Sequence, residues 1–436
     1  MRRLLTDKFL FFLFNIFLYL VIFKDEAYKG YNDEAKKINE TDGGILEEHE
    51  GFKVLKLSGS HYDMGLQYGK LLKERYLQNR RAWLNFFDKK LRISHESLLH
   101  VWSKTESYIP QEYVEEMKGR ADALDLPLEE IAVMEIMSTM AAKKKGCCSA
   151  AFWGPATVNG ELYHLRSQDL PLDTAIDPIT STPVYENGII VVRKPDKEFA
   201  SIFPDYPCNI GIEGGFNEKG ICLGWMDSAS ADQTMYGIPV NLRQLIALDH
   251  ASNLDETIEI LDSSKTIGCN FIISDSKTPE GIIMEQNTKY TYIGRWDDPT
   301  ESQGGSWSID HVVRRTNFFI NPLLSSTQRE IGYSKNIFLS IFFPIFCHYV
   351  AVSRGIEKNL GSLDLNRTME MLRSAYLGET YVPFSLQRVL FKRESFNQWV
   401  ACPKTGDMLF SFAQNGKSAH ESTVFHVNLF KLLKSK

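Results

Sequence analysis

The chain has 436 residues, 43% of them hydrophobic, a formal net charge of -6 and a pI near 6.0. That length makes one large domain or two modest ones, with enough apolar content for a packed core. The weakly acidic balance, with lysines scattered rather than striped along one face, provides no field to neutralise phosphates and excludes nucleic acid as an expected partner.

Residues 1–26 read as an address rather than a fold element. Arg2 and Arg3 precede an apolar run from Phe9 to Phe23 that only Asn15 interrupts. A run of that length suits the core of a signal peptide and falls short of the roughly 20 residues of a comfortable membrane crossing. The expectation is a signal peptide and a secreted or lysosomal protein. The alternative is a retained signal anchor, because Lys24-Asp25-Glu26-Ala27 is a poor cleavage site. Two acceptor sequons, at Asn39 and Asn366, fit a glycoprotein of that compartment.

From Leu57 to about Ala142 the apolar spacing is helical: Tyr68, Leu71, Leu72 and Tyr76 recur at three and four residues, and Leu98 to Tyr113 and Val114 to Leu124 continue the pattern. Residues 27–146 are therefore expected as a mostly helical region. Beyond Gly146 the chain changes to short runs bounded by turn residues, at Ala150 to Trp153, Glu161 to Leu165, Gly188 to Val192, Gly220 to Trp225 and Phe271 to Ser274. Val158-Asn159-Gly160-Glu161 is expected to join the first two as a hairpin through an Asn-Gly turn. Helices are expected over Asn241 to Ala251 and Asp255 to Leu261, which makes residues 147–436 an α+β layered region. Asn336 to Ala351 is strongly apolar with Pro344 inside it, and is expected as a buried helix or a lid touching a membrane surface.

The seven cysteines are an odd number, so in an oxidising compartment disulfides would leave at least one thiol over. Cys147 and Cys148 can be read blandly, as buried strand residues or half-cystines. Gly146-Cys147-Cys148-Ser149 also has the form of a hidden new N-terminus. A thiol with an ordinary pKa of about 8.5 is only partly ionised near neutrality and needs a base. If the chain is cut between Gly146 and Cys147, the freed α-amino group, with a reference pKa of about 7.7 to 8.0, is that base. Arg166 and Asp169 stand three residues apart at the far end of the returning strand. The guanidinium can hold the thiolate or a substrate group while the carboxylate orients the amine. The same pair can equally be a surface ion pair. His164 lacks the motif that a papain-type thiol needs of its histidine.

With Phe152-Trp153-Gly154, Ala156-Thr157, Asn159-Gly160 and Arg166-Ser167-Gln168-Asp169, the segment from Gly146 resembles the start of the catalytic chain in N-terminal-nucleophile (Ntn) amidases. It is most similar to the acyl-coenzyme A:6-aminopenicillanic acid acyltransferase-like group, with acid ceramidase and choloylglycine hydrolase as broader kin. Gly59-Ser60-His61-Tyr62-Asp63-Met64-Gly65 with Gly69-Lys70 resembles the group's first helix opening, Gly215 to Gly220 a strand turn, Leu242-Arg243-Gln244-Leu245 the following helix, and Arg315-Thr316-Asn317 a strand end. The resemblance implies an αββα sandwich made as a precursor that cuts itself into a smaller chain ending at Gly146 and a larger one beginning at Cys147. It implies that Asn317 faces the reacting carbonyl, where an amide donor stabilises an oxyanion by about 3 kcal/mol.

The sequence departs from the group in places. A second cysteine follows the nucleophile, and Cys147 is favoured over Cys148 because it keeps the Gly-Cys pair and the spacing to Trp153-Gly154. Ser167 stands where Asn is usual, and Phe318 where His is frequent. Asp227 stands where relatives place an oxyanion-donating Asn; an ionised carboxylate there repels that charge unless it is protonated, binds a cationic leaving group, or the alignment is shifted. The leading expectation is an amidohydrolase that cuts a linear C-N bond of a small-molecule or lipid acyl-amide through an acyl-thioester. The alternatives are an acyltransferase to an amine, a phospholipase B-like esterase, and a non-catalytic glycoprotein of the same fold. No cofactor and no metal is expected.

Overall fold

The computed structural model describes residues 35–140, 146–208, 210–329, 344–381 and 394–435. The targeting segment, the five residues before Gly146 and residues 336–343 of the apolar stretch lie outside them. The N-terminal region opens with three strands, β1 (Lys36–Thr41), β2 (Gly44–His49) and β3 (Phe52–Gly59), before its helices α1 (His61–Phe86), α2 (His95–Thr105), α3 (Gln111–Leu124) and α4 (Leu128–Met140). The expected run from Leu98 to Tyr113 is broken at Pro110, which lacks an N–H and holds Ile109 in an extended conformation (φ -78, ψ 126).

The hairpin β4 (Gly146–Gly154) and β5 (Gly160–Asp169) follows, then β6 (Ile189–Pro195), β7 (Ser201–Asp205), β8 (Gly214–Asn217) and β9 (Ile221–Asp227), and α5 (Val240–His250) and α6 (Leu254–Asp262) at the expected places. The chain closes with β10 (Cys269–Asp275), β11 (Glu280–Gln286), β12 (Thr291–Gly294), β13 (Val312–Arg315), α7 (Pro344–Lys358), α8 (Leu365–Tyr376), β14 (Asn397–Cys402), β15 (Asp407–Phe412) and β16 (Phe425–Asn428).

One sheet runs β1-β2-β3-β6-β7-β8-β9-β10-β11-β12, antiparallel except where β3 lies parallel to β6. The other runs β13-β4-β5-β14-β15-β16 and is antiparallel throughout. Alternation along the strands sends residues to two different cores. Between the sheets lie Cys147, Ala151, Leu162, Met226, Ile272, Ile283 and Val313. On the outer face of the smaller sheet Cys148, Ala150, Phe152 and Leu165 pack against Val352 and Ile356 of α7 and Met369, Leu372 and Tyr376 of α8. On the outer face of the larger sheet Leu55, Val191, Leu223, Trp225 and Phe271 meet Met64, Tyr68, Met117, Leu242 and Leu245 from α1, α3 and α5. The result is the α+β, four-layer αββα arrangement that the resemblance implies.

Local chemistry explains the joints. Ser60 caps α1 by accepting from the Asp63 N–H while Asp63 accepts from the Ser60 N–H, a capping box. A Cβ at Gly65 would strike the carbonyl of Glu116, and one at Gly119 the carbonyl of Tyr62, so this pair of glycines lets α1 and α3 pack backbone to backbone. The helical layer is tied to the sheet by Arg193, which donates to Glu116 at 2.9 Å and Asp249 at 3.2 Å; removing one partner of such a buried set costs about 3–5 kcal/mol.

The β4–β5 hairpin departs from a tight Asn-Gly turn. Its loop is Pro155–Asn159, because a register shift between Phe152 and Gly154 diverts the chain and Val158 donates to the Leu363 carbonyl at 3.0 Å. Asn159 acts through its side chain, which accepts from the Glu161 N–H at 3.1 Å. Within the apolar stretch, Phe346, Tyr349 and Val350 of α7 are buried against Phe318 and Ile320, so the described part of it is a buried helix. No described helix is long and apolar enough to cross a membrane.

Candidate active site

β4 begins at Gly146, and its alternation puts consecutive cysteines on opposite faces. Cys147 points between the sheets and Cys148 into the helical layer, where its Sγ lies 3.5 Å from the Tyr376 hydroxyl. All seven cysteines are buried. The half-cystine reading of this pair is corrected: as neighbours on one strand Cys147 and Cys148 point to opposite faces and do not pair with each other.

β5 runs antiparallel to β4 and sets Arg166 opposite Ser149, on the same inter-sheet face as Cys147. Arg166 is 1% exposed, and its Nη2 donates to Cys147 Sγ at 3.2 Å. Its Nη1 reaches the carbonyls of Cys148 and Ser167, which fixes the guanidinium plane. The surface ion-pair reading of Arg166 therefore fails. Room for this side chain comes from the facing sheet at Gly224, where a Cβ would meet Ser149 Oγ and stand 3.0 Å from Arg166 Cδ. Burial pushes the Cys147 thiol above its ordinary pKa; Arg166 pulls it back, and Asp169 and Glu213 push it up.

Asn317 arrives from the end of β13. Its Oδ1 accepts the Cys147 N–H at 2.6 Å, and its Nδ2 donates to the Asp227 carbonyl at 2.8 Å. In this arrangement Asn317 holds the Cys147 nitrogen, and its donor is engaged by the Asp227 carbonyl. The loop that carries it is pinned twice. Arg315, fully buried, is paired with Glu285 at 2.7 Å and Glu301 at 2.5 Å. Asn270 Nδ2 lies within hydrogen-bonding distance of the Thr316 carbonyl at 2.9 Å and the Phe318 carbonyl at 2.8 Å.

Asp227 contributes its main-chain carbonyl. Alternation along β9 gives its side chain the face of Trp225, and its register partner is Cys269, which lies in the same helix-facing core. Asp169 is the register partner of Gly146, at the first residue of β4. Its carboxylate is oriented from the helical layer, accepting from Tyr376 Oη at 2.8 Å and from Ser167 Oγ at 2.8 Å, with His348 Nδ1 3.9 Å away. Asp169 thus stands beside the Gly146-Cys147 peptide bond while Arg166 stands on the sulfur. His164 lies on the Arg166 face, but Ser149 at 2.9 Å and Ser274 at 2.8 Å occupy its nitrogens, and burial lowers its pKa to about 3. It is a structural, neutral histidine. Asn39 and Asn366 are exposed, on β1 and in the first turn of α8.

Sequence reasoning missed Glu213, Asn241, Asn270 and Tyr376. Glu213 Oε2 is 3.8 Å from Arg166 Nη2, and Asn241 Nδ2 donates to Glu213 Oε1 at 2.9 Å. A cleft opens here. Gln168, the register partner of Cys147, and Glu213 lie at its polar end, and Trp83, Phe87, Met134, Met137, Leu170 and Phe396 form its apolar wall. Such a cleft, apolar with a few convergent polar groups, suits a small molecule.

Comparison with known proteins gives these similarities. Residues 177–334 match the family model described as acyl-coenzyme A:6-aminopenicillanic acid acyl-transferase. The chain is 24% identical over 308 residues to protein dcd1B of Dictyostelium discoideum, covering 64% of this chain and 59% of that protein. It thus spans about three-fifths of that relative's length. It is 21% identical over 276 residues to N-acylethanolamine-hydrolyzing acid amidase of Rattus norvegicus, covering 58% of this chain and 71% of that one. Among solved structures, the Caenorhabditis elegans ortholog of N-acylethanolamine-hydrolyzing acid amidase is matched at 12% identity and a TM-score of 0.38, over 65% of this chain and 100% of that one.

Proposed function

From the acyl-coenzyme A:6-aminopenicillanic acid acyltransferase-like domain that this chain carries, a domain of the Ntn-hydrolase group, we propose that it is a self-cleaving cysteine amidohydrolase acting on a linear C-N bond of an acylated amine. The observation that carries the reading is the double contact on Cys147, with Arg166 Nη2 on its sulfur and Asn317 Oδ1 on its nitrogen, while Cys148 faces away.

In the first reaction Cys147 Sγ adds to the Gly146 carbonyl, the C-N bond breaks, and the chain passes through a thioester. Water then releases the Gly146 carboxylate and leaves Cys147 with a free α-amino group. Asn317 holds that nitrogen, and Asp169 stands at the same strand end, opposite Gly146. In the second reaction the amine takes the thiol proton, the sulfur attacks the substrate acyl carbon, and the amine of the substrate departs with the proton. Arg166 stabilises the thiolate by a charge-assisted hydrogen bond. Water hydrolyses the acyl-thioester and regenerates the thiol. The N-terminal apolar run and the exposed Asn39 and Asn366 support a secreted or lysosomal glycoprotein.

Intact-mass measurement of the purified protein is expected to give two fragments, the larger beginning at Cys147. Cys147→Ala abolishes both cutting and activity, and Cys148→Ala retains part of each. One uncut, inactive wild-type chain, or the reverse result for the two variants, overturns the assignment. The family description favours one second reading, in which an amine replaces water as acyl acceptor. Amide formation in excess of free acid, in the presence of an acceptor amine, would establish it.

A further inference from the structure

The cleft near Cys147 is apolar over most of its wall, yet Tyr206 and Asn241 each bring to it a buried polar atom without a partner among the described residues, and the Gln168 amide lines the same cleft. Tyr206 is 9% exposed, and its Oη, whose polar neighbour is Asn397, makes no hydrogen bond of good geometry among the described residues. Asn241 is 2% exposed; its Nδ2 is committed to Glu213, and its Oδ1 has no donor among the described residues. Gln168 accepts at Oε1 from Asn397 Nδ2 at 2.6 Å, which orients the amide and leaves its Nε2 as the end available to a ligand.

Buried polar atoms are almost always matched, so a cluster of unmatched ones in one cleft points to a ligand group that matches them. Two of the three lie close to Cys147. Gln168 is opposite Cys147 in the β4–β5 register, and Asn241 holds the Glu213 carboxylate beside the guanidinium that donates to Sγ.

Building on the amidase reading, we infer that the cleft selects an acyl group carrying a hydroxyl or a secondary amide close to the scissile carbonyl, with an apolar remainder. Either group accepts from Tyr206 Oη and Gln168 Nε2 and donates to Asn241 Oδ1. Trp83, Phe87, Met134 and Phe396 then cover the apolar remainder. A plain alkyl chain buries the same apolar area but leaves those atoms unmatched. Sites built to bond a polar group discriminate against analogues lacking it far more strongly than against a missing methylene.

The test compares kcat/KM of the full-length, wild-type protein for the para-nitroanilides of decanoic acid, β-hydroxydecanoic acid and octanoylglycine. One of the two polar acyl groups is expected to be preferred over decanoyl by about tenfold or more, and the two arms identify whether hydroxyl or amide is recognised. In Tyr206→Phe/Gln168→Leu the preference collapses to about twofold or less. Equal turnover of the three by wild type, or a preference unchanged in the double variant, overturns the inference and leaves the amidase reading standing.

Calorimetric binding of the three free acids to Cys147→Ala reads the cleft without chemistry, and decides the matter if the double variant fails to fold. Tighter binding of a polar acid with no anilide hydrolysed by wild type sustains the cleft and overturns the amidase. Equal binding of all three overturns the cleft inference whatever the activity.

Discussion

Replacing Arg166 by Gln removes, among the described residues, the positive charge that contacts Cys147 Sγ, at 3.2 Å. Burial, Asp169 and Glu213 all push that thiol up, and Arg166 alone among the named causes opposes them. A hydrogen bond to a charged group contributes about 1.5–3 kcal/mol. At about 1.4 kcal/mol per pH unit, its loss raises the thiol pKa by roughly 1–2 units. Below the pKa the thiolate fraction then falls by about 10- to 100-fold. The assay is the pH dependence of Cys147 alkylation by iodoacetamide, followed by peptide mass, on protein whose fold is verified by circular dichroism. Lysine at the same position restores the charge but not the second contact to the Cys148 and Ser167 carbonyls, so its profile should lie between the two. A profile unmoved in Arg166→Gln would refute the claim that this guanidinium supports the thiolate.

Tyr376→Phe removes the hydroxyl that donates to the Asp169 carboxylate at 2.8 Å, and should cost about 1–3 kcal/mol in chemical denaturation while slowing fragment formation; normal cutting would show that Asp169 needs no support from α8. Gly224→Ala places a methyl group against Ser149 and Arg166 between the sheets, and is expected to lower stability by about 1–3 kcal/mol together with activity. A neutral outcome would mean that the sheets part more easily than the geometry implies. Burial raises the Glu135 carboxyl to about 7, against about 4.5 when unfolded. The folded state therefore binds the extra proton, and the stability this confers is present below pH 4.5 and lost as the pH rises through 7. The melting temperature should fall between pH 5 and pH 8, and Glu135→Gln should flatten that fall; an equal slope in the variant would contradict it.

The strands after Gly146, the helices from Val240 and from Leu254, and the pairing of a small residue with a thiol were legible because each depends on neighbours only a few positions away. β1 to β3 were not: the run Lys36–Thr41 is polar and exposed at a sheet edge, and β3 passes directly into a helix whose periodicity dominates the window. Likewise, Glu213, Asn270 and Tyr376 belong to no local pattern. Tyr376 lies 207 positions from the carboxylate it orients, and no spacing rule spans such a distance.

The sequence by itself determined that a Gly-Cys bond, an arginine and an aspartate would lie at one end of a hairpin, since antiparallel pairing returns the chain to its start. It also dictated that Cys147 and Cys148 point to opposite sides, because side chains alternate along a strand. Only the tertiary structure decided which side holds the chemistry. A single sheet has two equivalent faces until another layer covers each of them. Here the second sheet closes on Cys147 with Arg166, and the helices α7 and α8 close on Cys148.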